Sequence, residues 1–341
     1  MARHIGVDLH RNRFTVCTRT RGRNYLSTWP LEELATFCGR LRRDDTVAVE
    51  VTGNTRLFVD AVRPRVKRVV VVNPQQFKVV SASVNKTDDN DARRLAFFLE
   101  KDMLPEVRMK DKAHAELASL AQTRDKLVKL RTALKNKINN ILSAHGINLK
   151  KEVLSTEKGL NEVLGMMLGD VVDVELRVLI EQIRSLNRSI AELEQTMKQQ
   201  GPKLPGYKNL KSIKGIGDTG ASILLSVIGD VNDFGDEGKL ASYFGIVPRV
   251  SNSNETERSG KITKRGSKLG RTTLVQCALI AMRYSAYLRG HYERIKARRG
   301  TGKAIIALAR KFLGIVYLTL KENLIWEDFP NGVLQEAEAK P

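Results

Sequence analysis

The sequence predicts a chain in three parts: an α/β domain, a central helical coiled coil and a mainly α C-terminal domain. Short apolar, β-branched runs bounded by turn residues fill the first hundred residues, as buried strands require. Leucine and isoleucine then recur at heptad spacing. Beyond residue 200, helical patterns surround a basic loop rich in glycine and serine. The expected divisions are 1–105, 106–200 and 201–330, with 331–341 as a tail.

The chain has 341 residues and is 42% hydrophobic, enough to bury more than one core. Its formal net charge is +20. A surplus of this size implies a polyanionic partner, with nucleic acid first. Aromatics are only 6%, which argues against holding single strands mainly by base stacking. The charge is concentrated: between Ser251 and Arg310 there are 14 Lys/Arg against three Glu, a net of +11. Three scattered cysteines, Cys17, Cys38 and Cys277, give neither metal spacing nor a disulfide framework, so a reducing interior is expected. The N-terminus runs directly into a strand pattern, and no apolar run has transmembrane length, so no membrane is expected as a partner.

In order, Ile5 to Leu9 reads as a short buried strand, and residues 13–20 alternate as a second. Tyr25 to Trp29 suits a third strand and Leu31 to Leu41 a helix. Thr46 to Val51 is a strand carrying Glu50 near its end, before the turn at Thr52-Gly53-Asn54. Val66 to Asn73 reads as a buried strand, and Ala92 to Glu100 as a helix. This order of strands and helices is the pattern of a ribonuclease H-like sheet, in which reactive groups gather outside strand ends.

Four acids fit that expectation. Asp8 and Glu50 follow apolar strand residues, where a carboxylate is costly unless solvated, paired or metal-bound. Asp88 and Asp91 are three apart, so on a helix they share one face and repel unless a cation lies between them. Acidic residues in a first turn, capped by Thr87 or Asp88, are also an ordinary helix start. Together the four acids suit hard divalent ions such as Mg²⁺ in phosphodiester chemistry.

Leu120, Leu127, Leu134 and Ile141 recur every seven residues, with Leu117, Leu130 and Ile138 between them, so 112–144 reads as one helix. His145-Gly146 is its stop. Leu176, Leu179, Ile183, Leu186, Ile190, Leu193 and Met197 step by three and four over three heptads. Heptads alone leave open whether the two helices pair within one chain or across a dimer.

Leu210 to Gly217, leading into an apolar helix 221–228, has a helix-hairpin-helix pattern whose Gly215 and Gly217 let backbone approach phosphate. A short helix is expected over 234–243. A loop or short hairpin comes next, from Gly245-Ile246-Val247-Pro248-Arg249-Val250 through Gly260-Lys261-Ile262-Thr263-Lys264-Arg265-Gly266. Its cations, with Lys268 and Arg271 just beyond, are candidate nucleic-acid contacts. Taken bare, it is a phosphate-holding loop. Helices are expected over 272–289 and 303–324, and the tail after Trp326 reads as frayed. Gly300-Thr301-Gly302-Lys303 lacks the spacing and preceding strand of a nucleotide loop and is set aside as one.

Ile5-Gly6-Val7-Asp8-Leu9-His10, Glu50-Val51-Thr52-Gly53 and Lys86-Thr87-Asp88-Asp89-Asn90-Asp91-Ala92 resemble the three blocks of the DEDD transposases. These are recombinases of bacterial insertion sequences and include the Piv-type DNA invertases. The resemblance implies a RuvC-like N-terminal domain whose tetrad, Asp8, Glu50, Asp88 and Asp91, binds Mg²⁺ or Mn²⁺. The loop from Gly245 to Gly266 is similar to the family's C-terminal signature, which has a nucleophilic serine five residues after the proline, here Ser253. The family usually has glycine next, whereas this chain has Asn254; Ser251 and Ser259 are the neighbouring alternatives. The function implied by resemblance is that of a recombinase that cleaves and rejoins double-stranded DNA through a phosphoserine. Its expected partners are a bridge-type non-coding RNA and further copies of itself, a homodimer and a tetramer in the synaptic complex. Its expected place is the bacterial cytoplasm, at the nucleoid. The alternatives are a RuvC-like hydrolytic nuclease, using the same acids with water, and a non-catalytic architectural binder.

Overall fold

The computed structural model describes residues 2–73, 87–150, 152–253 and 256–335, with backbone alone over 250–253 and 256–259. Lys86, Asn254 and residues 336–341 lie outside the described residues. The chain forms two compact units, Met1–Met109 and Lys110–Pro341.

The first unit is a five-stranded sheet with helices on both faces. Its strands are β1 (His4–Leu9), β2 (Arg13–Thr20), β3 (Arg23–Pro30), β4 (Thr46–Glu50) and β5 (Arg68–Val72). Their spatial order is β3-β2-β1-β4-β5. β1, β2 and β3 pair antiparallel as successive hairpins, whereas β1, β4 and β5 run parallel. The parallel joins are made by α1 (Leu34–Gly39) and α2 (Thr55–Val62), and α3 (Asp88–Glu100) comes after β5.

Strand alternation divides the sheet into two different faces. Ile5, Val7 and Leu9 join Phe14, Val49 and Val71 in a core packed against Phe37 and Phe58. Phe14 meets Phe37 and Phe58 edge-on, at centroid distances of 5.2 and 5.5 Å. The opposite face carries small residues, among them Gly6, Cys17 and Ala48, under Ala92, Leu95 and Ala96 of α3. Small residues on both partners bring the helix axis close to the strands. Asp8 shares this face with Gly6, two residues before it.

The second unit is mainly helical. Its first members are α4 (Lys112–Ala144), α5 (Glu157–Leu164) and α6 (Asp170–Gln200). α4 coincides with the helix expected from the heptads. It packs antiparallel on α6 within the chain: Arg124 pairs with Glu194 at 2.6 Å, Arg131 donates to Asn187 at 2.8 Å, and Lys137 pairs with Glu175 at 3.0 Å. Leu176, Ile180 and Ile183 are therefore buried against Ile138 and Leu142. Leu130, a member of the expected stripe, is 55% exposed, because two helices bury only a narrow seam.

Then come α7 (Tyr207–Ser212), α8 (Asp218–Ile228) and α9 (Glu237–Phe244), and after them the hairpin of β6 (Pro248–Ser253) and β7 (Thr256–Ile262). The helix expected over 272–289 is two helices, α10 (Lys268–Tyr284) and α11 (Ala286–Arg299). They break at Ser285, whose hydroxyl accepts from the Leu288 amide at 3.3 Å and caps the second. α12 (Thr301–Lys321) is wrapped by the largest core, with Phe312, Leu313 and Val316 fully buried. The segment expected to fray instead forms a small hairpin, β8 (Trp326–Asp328) with β9 (Val333–Leu334). Trp326 donates to Thr319 at 3.0 Å and packs edge-on against Phe329, so two aromatics hold what polarity alone would release. Among the described residues, no helix is long and apolar enough to cross a membrane.

Candidate active site

Gly6 is where the acidic site begins. A β-carbon there would lie 2.2 Å from the Ala92 carbonyl oxygen and 2.4 Å from the Ala96 nitrogen. Only glycine lets α3 lie this close to β1. Thr87 caps that helix, its hydroxyl accepting from the Asn90 amide at 3.3 Å. The cap sets the acidic first turn, Asp88 to Asp91, beside the end of β1, where Asp8 stands.

Asp8 is 7% exposed and Asp91 6%, whereas the Asp88 side chain is 36% exposed. His10 lies between two of these acids: its Nε2 is 3.1 Å from Asp8 Oδ2 and 3.2 Å from Asp88 Oδ1. Arg13 Nη2 sits 2.9 Å from Asp88 Oδ2, and Arg94 Nη1 is 3.8 Å from Asp91 Oδ1. Burial pushes the Asp8 carboxyl above its ordinary pKa; His10 opposes this, and the charges of Asp88 and Asp91 add to it. Burial acts the same way on Asp88, but His10 and Arg13 outweigh it and hold that carboxyl below its usual range.

Asp8, His10 and Asp88 each offer a ligand atom within 4.8 Å of the others. Glu50 ends β4. The pairing of β1 with β4 runs as far as Val7 opposite Val49, and Asp8 and Glu50 are the next residues of the two strands. The Glu50 carbonyl accepts from Thr55 Oγ1 at 3.0 Å, turning the chain into α2. Glu50 and Asp91 are not in the three-atom cluster. A divalent cation fits here on the chemistry of the donors. A buried carboxylate whose ionisation its acidic neighbours oppose gains from a positive ion, and carboxylate oxygens are the donors Mg²⁺ prefers. The imidazole nitrogen of His10 suits Mn²⁺ better than Mg²⁺. Sequence reasoning passes over His10 and Arg13. The available signal is position: both are polar residues flanking the turn after Asp8.

In the second unit, α7 and α8 flank the turn expected as a helix-hairpin-helix. Gly215 has φ +109°, and a β-carbon would meet the Ala281 backbone at 2.7 Å; Gly217 faces open space. Gly215 thus lets the turn lie against α10, while Gly217 leaves the start of α8 accessible. Asp218 in that first turn accepts from the Tyr207 hydroxyl at 2.7 Å and pairs with Lys211 at 2.8 Å.

The signature segment forms the β6–β7 hairpin, with Ser253 at the end of β6 opposite Thr256 and Ser251 opposite Arg258. Two glycines clamp its foot. Gly245, at φ +68°, would drive a β-carbon to 1.9 Å from the Arg265 carbonyl oxygen, and Gly266, at φ +95°, to 2.0 Å from that of Tyr243. Arg271 Nη1 donates to the Phe244 carbonyl at 3.0 Å, which holds the foot to the end of α9. Arg249 occupies a register shift in β6. Arg249, Lys261, Lys264, Arg265 and Lys268 are all exposed.

Comparison with known proteins matches these two regions separately. Residues 5–147 match a DEDD transposase family of the IS110 type, described as a transposase. Residues 207–293 match the family described as "Transposase IS116/IS110/IS902 family". The chain is 25% identical to the transposase for insertion sequence element IS1111A of Coxiella burnetii, across 93% of this chain and 89% of that one. It is 26% identical to a pilin gene-inverting protein of Moraxella lacunata, across 94% and 96% respectively. A transposase for insertion sequence element IS1328 of Yersinia enterocolitica is 24% identical, across 94% and 98%.

Proposed function

Because this chain belongs to the IS110 family of DEDD transposases, enzymes of DNA strand cleavage and transfer, we propose that it cuts and rejoins DNA through Ser253, assisted by a metal site of Asp8, Glu50, Asp88 and Asp91. The observation that carries the metal half is the cluster of Asp8, His10 and Asp88, whose ligand atoms lie within 4.8 Å of one another. Asp8, Asp88 and Asp91 would hold the ion, with Glu50 on the neighbouring strand as the fourth acid. When bound, a divalent ion supplies charge neutralisation at a phosphodiester. His10 and Arg13 hold Asp88 ionised and oriented toward Asp8.

The nucleophile is the Ser253 hydroxyl. A new ester bond forms between Ser253 Oγ and phosphorus as the bond from phosphorus to the leaving deoxyribose oxygen breaks. The serine proton leaves, and a proton is taken up by the departing oxygen, so the strand end stays covalently held and its energy is kept for rejoining. Gly215 and Gly217 at the helix turn, and Arg249, Lys261, Lys264, Arg265 and Lys268 around the hairpin, contact the DNA backbone. Arg271 steadies the loop that presents them. A structured RNA carried by the same element selects the DNA, and at least two copies of the chain act together on the paired ends.

The deciding experiment traps the full-length protein on end-labelled duplex DNA with Mg²⁺, with and without transcripts from the flanking DNA. A covalent adduct that disappears in Ser253→Ala and in Asp8→Ala, but persists in Ser251→Ala, supports the proposal. One observation favours a second reading: Asp8, His10 and Asp88 cluster wholly within the first unit, as a hydrolytic nuclease needs. Metal-dependent cutting with no adduct, unchanged by Ser253→Ala, would establish that reading instead.

A further inference from the structure

Among the described residues, seven cations line one cavity of about 1070 Å³ in the second unit. Arg294, Arg298 and Arg299 come from α11, and Lys303 and Arg310 from α12. Lys261 lies near the end of β7, and Lys264 just beyond it. All seven are exposed. Among the described residues, no carboxylate lines the cavity, and none of the seven forms an ion pair with a described residue. Surfaces ordinarily intersperse the two signs, so a one-sign cavity attracts an anionic ligand. Beside it, burial first, then the charges of Arg294 and Lys311, push the His291 pKa down.

The lining also says what kind of polyanion fits. Between the cations the walls are aliphatic: Ile246, Pro248, Ile262, Ile295, Ile306 and Ala307. Among the described lining residues there is no aromatic side chain to stack an unpaired base, as a single-strand site would need. Among the described lining residues there is no Asn, Gln, Asp or Glu to read bases beside the arginines. What is left is a set of long cationic side chains on two helices and a hairpin foot, suited to phosphates at any sequence. The run Gly300 to Lys303, which lacks the spacing of a nucleotide loop, contributes Gly302 and Lys303 to this wall.

We infer that the groove between α11, α12 and the foot of the β6–β7 hairpin seats the backbone of duplex DNA, supplying affinity and register without sequence choice. The inference rests on the reading of the chain as a DNA recombinase. It adds Arg294, Arg298, Arg299 and Arg310, which no motif marks, and Lys303 of the glycine run.

The test is the salt dependence of binding by the full-length protein to a short fluorescent DNA duplex. Each phosphate contact contributes about 0.9 to the slope of log affinity against log salt. Replacing Arg298, Arg299 and Arg310 together by alanine should flatten that slope by roughly 2–3 and weaken binding on the order of a hundredfold near 0.1 M salt. Replacing the same three by lysine should leave the slope in place. Removing equal charge from α5 and α6 with Lys158→Ala, Arg177→Ala and Arg188→Ala should change the slope much less. Equal effects from both alanine sets, or no effect from the first, overturn the inference. So does a larger loss for duplex RNA of matching sequence, or a loss confined to poly-glutamate, which would name another occupant. Adduct formation by the wild type is scored separately. An adduct with an unaltered slope in the groove variant rejects the groove and keeps the recombinase. No adduct with a flattened slope does the reverse.

Discussion

Gly6 and Ala92 approach so closely that a β-carbon on Gly6 would stand 2.2 Å from the Ala92 carbonyl oxygen. This approach sets the start of α3 against the end of β1. Gly6→Ala must push the helix outward, and overpacking of this kind costs roughly 1–3 kcal/mol. The displacement also carries Asp88 and Asp91 away from Asp8. The expected outcome is a lower denaturant midpoint together with a weakened response to Mg²⁺. A variant that loses stability but keeps full Mg²⁺ affinity would separate the packing from the site.

Asp8 is buried and faces two other acids, so its charge is a cost to the metal-free protein. Asp8→Asn removes that charge with little change of shape. Without metal the variant should unfold at or above the wild-type temperature. Mg²⁺ at a hundred times its dissociation constant stabilises a binding protein by about 2.7 kcal/mol. That increment should appear in the wild type and be absent in Asp8→Asn. Calorimetry across a Mg²⁺ titration reads both, and an equal rise in the two proteins removes Asp8 from the metal site.

Lys110 opens the second unit, with its ammonium donating to the Ser226 carbonyl at 2.5 Å. Burial lowers its pKa from 10.5 to about 8. The unfolded chain therefore holds more protons between those two values, so stability rises with pH across that window and the cost of the buried charge is fully present below about 8. Lys110→Met removes the cost, less the hydrogen bond it gives up. The expected gain at pH 7 is on the order of 1–3 kcal/mol, fading as pH approaches 10.5. Urea melts at several pH values measure it, and an unchanged pH slope in the variant counts against it.

The helical hairpin sets an ion pair against a buried aliphatic residue. Arg124 and Glu194 meet at 2.6 Å but keep 24% and 38% of their side-chain surface exposed. Such a pair contributes about 0.2–1 kcal/mol. Ile183 is fully buried in the seam, and Ile→Ala in a core costs about 2–5 kcal/mol. Ile183→Ala should therefore shift the melting temperature several times further than Glu194→Ala, and only the latter effect should fade in high salt.

Gly245 and Gly266 hold the hairpin foot at positive φ with contacts no side chain can share. Gly245→Ala combines backbone strain of about 1 kcal/mol with a collision against the Arg265 carbonyl. Loss of cooperative unfolding of the second unit, or of DNA binding at low salt, is the expected result. A fully stable Gly245→Ala protein would mean the foot can open without cost.

The legible parts of the chain share a physical basis. Helix 112–144 is readable because its heptads are long and its stop is local. The strands bearing Asp8 and Glu50 are readable from short apolar runs with turn residues at their ends. The tail misleads because its hairpin depends on Trp326 and Phe329 reaching α12 and each other, which polarity cannot report. The groove cations of α11 and α12 obey no local pattern, since their grouping arises from two helices meeting a hairpin.

By itself the sequence determined the strand and helix order and the basic surplus, which are local patterns or sums over composition; the four acids and the serine it marked as candidates, through resemblance to a family. Only the tertiary structure decided that His10 and Arg13 stand between the acids, that the heptads of α4 and α6 satisfy each other within one chain, and that seven cations share a cavity. These depend on distances between residues far apart in sequence, which the close approach of Gly6 to Ala92 and the clamp at Gly245 and Gly266 establish through packing.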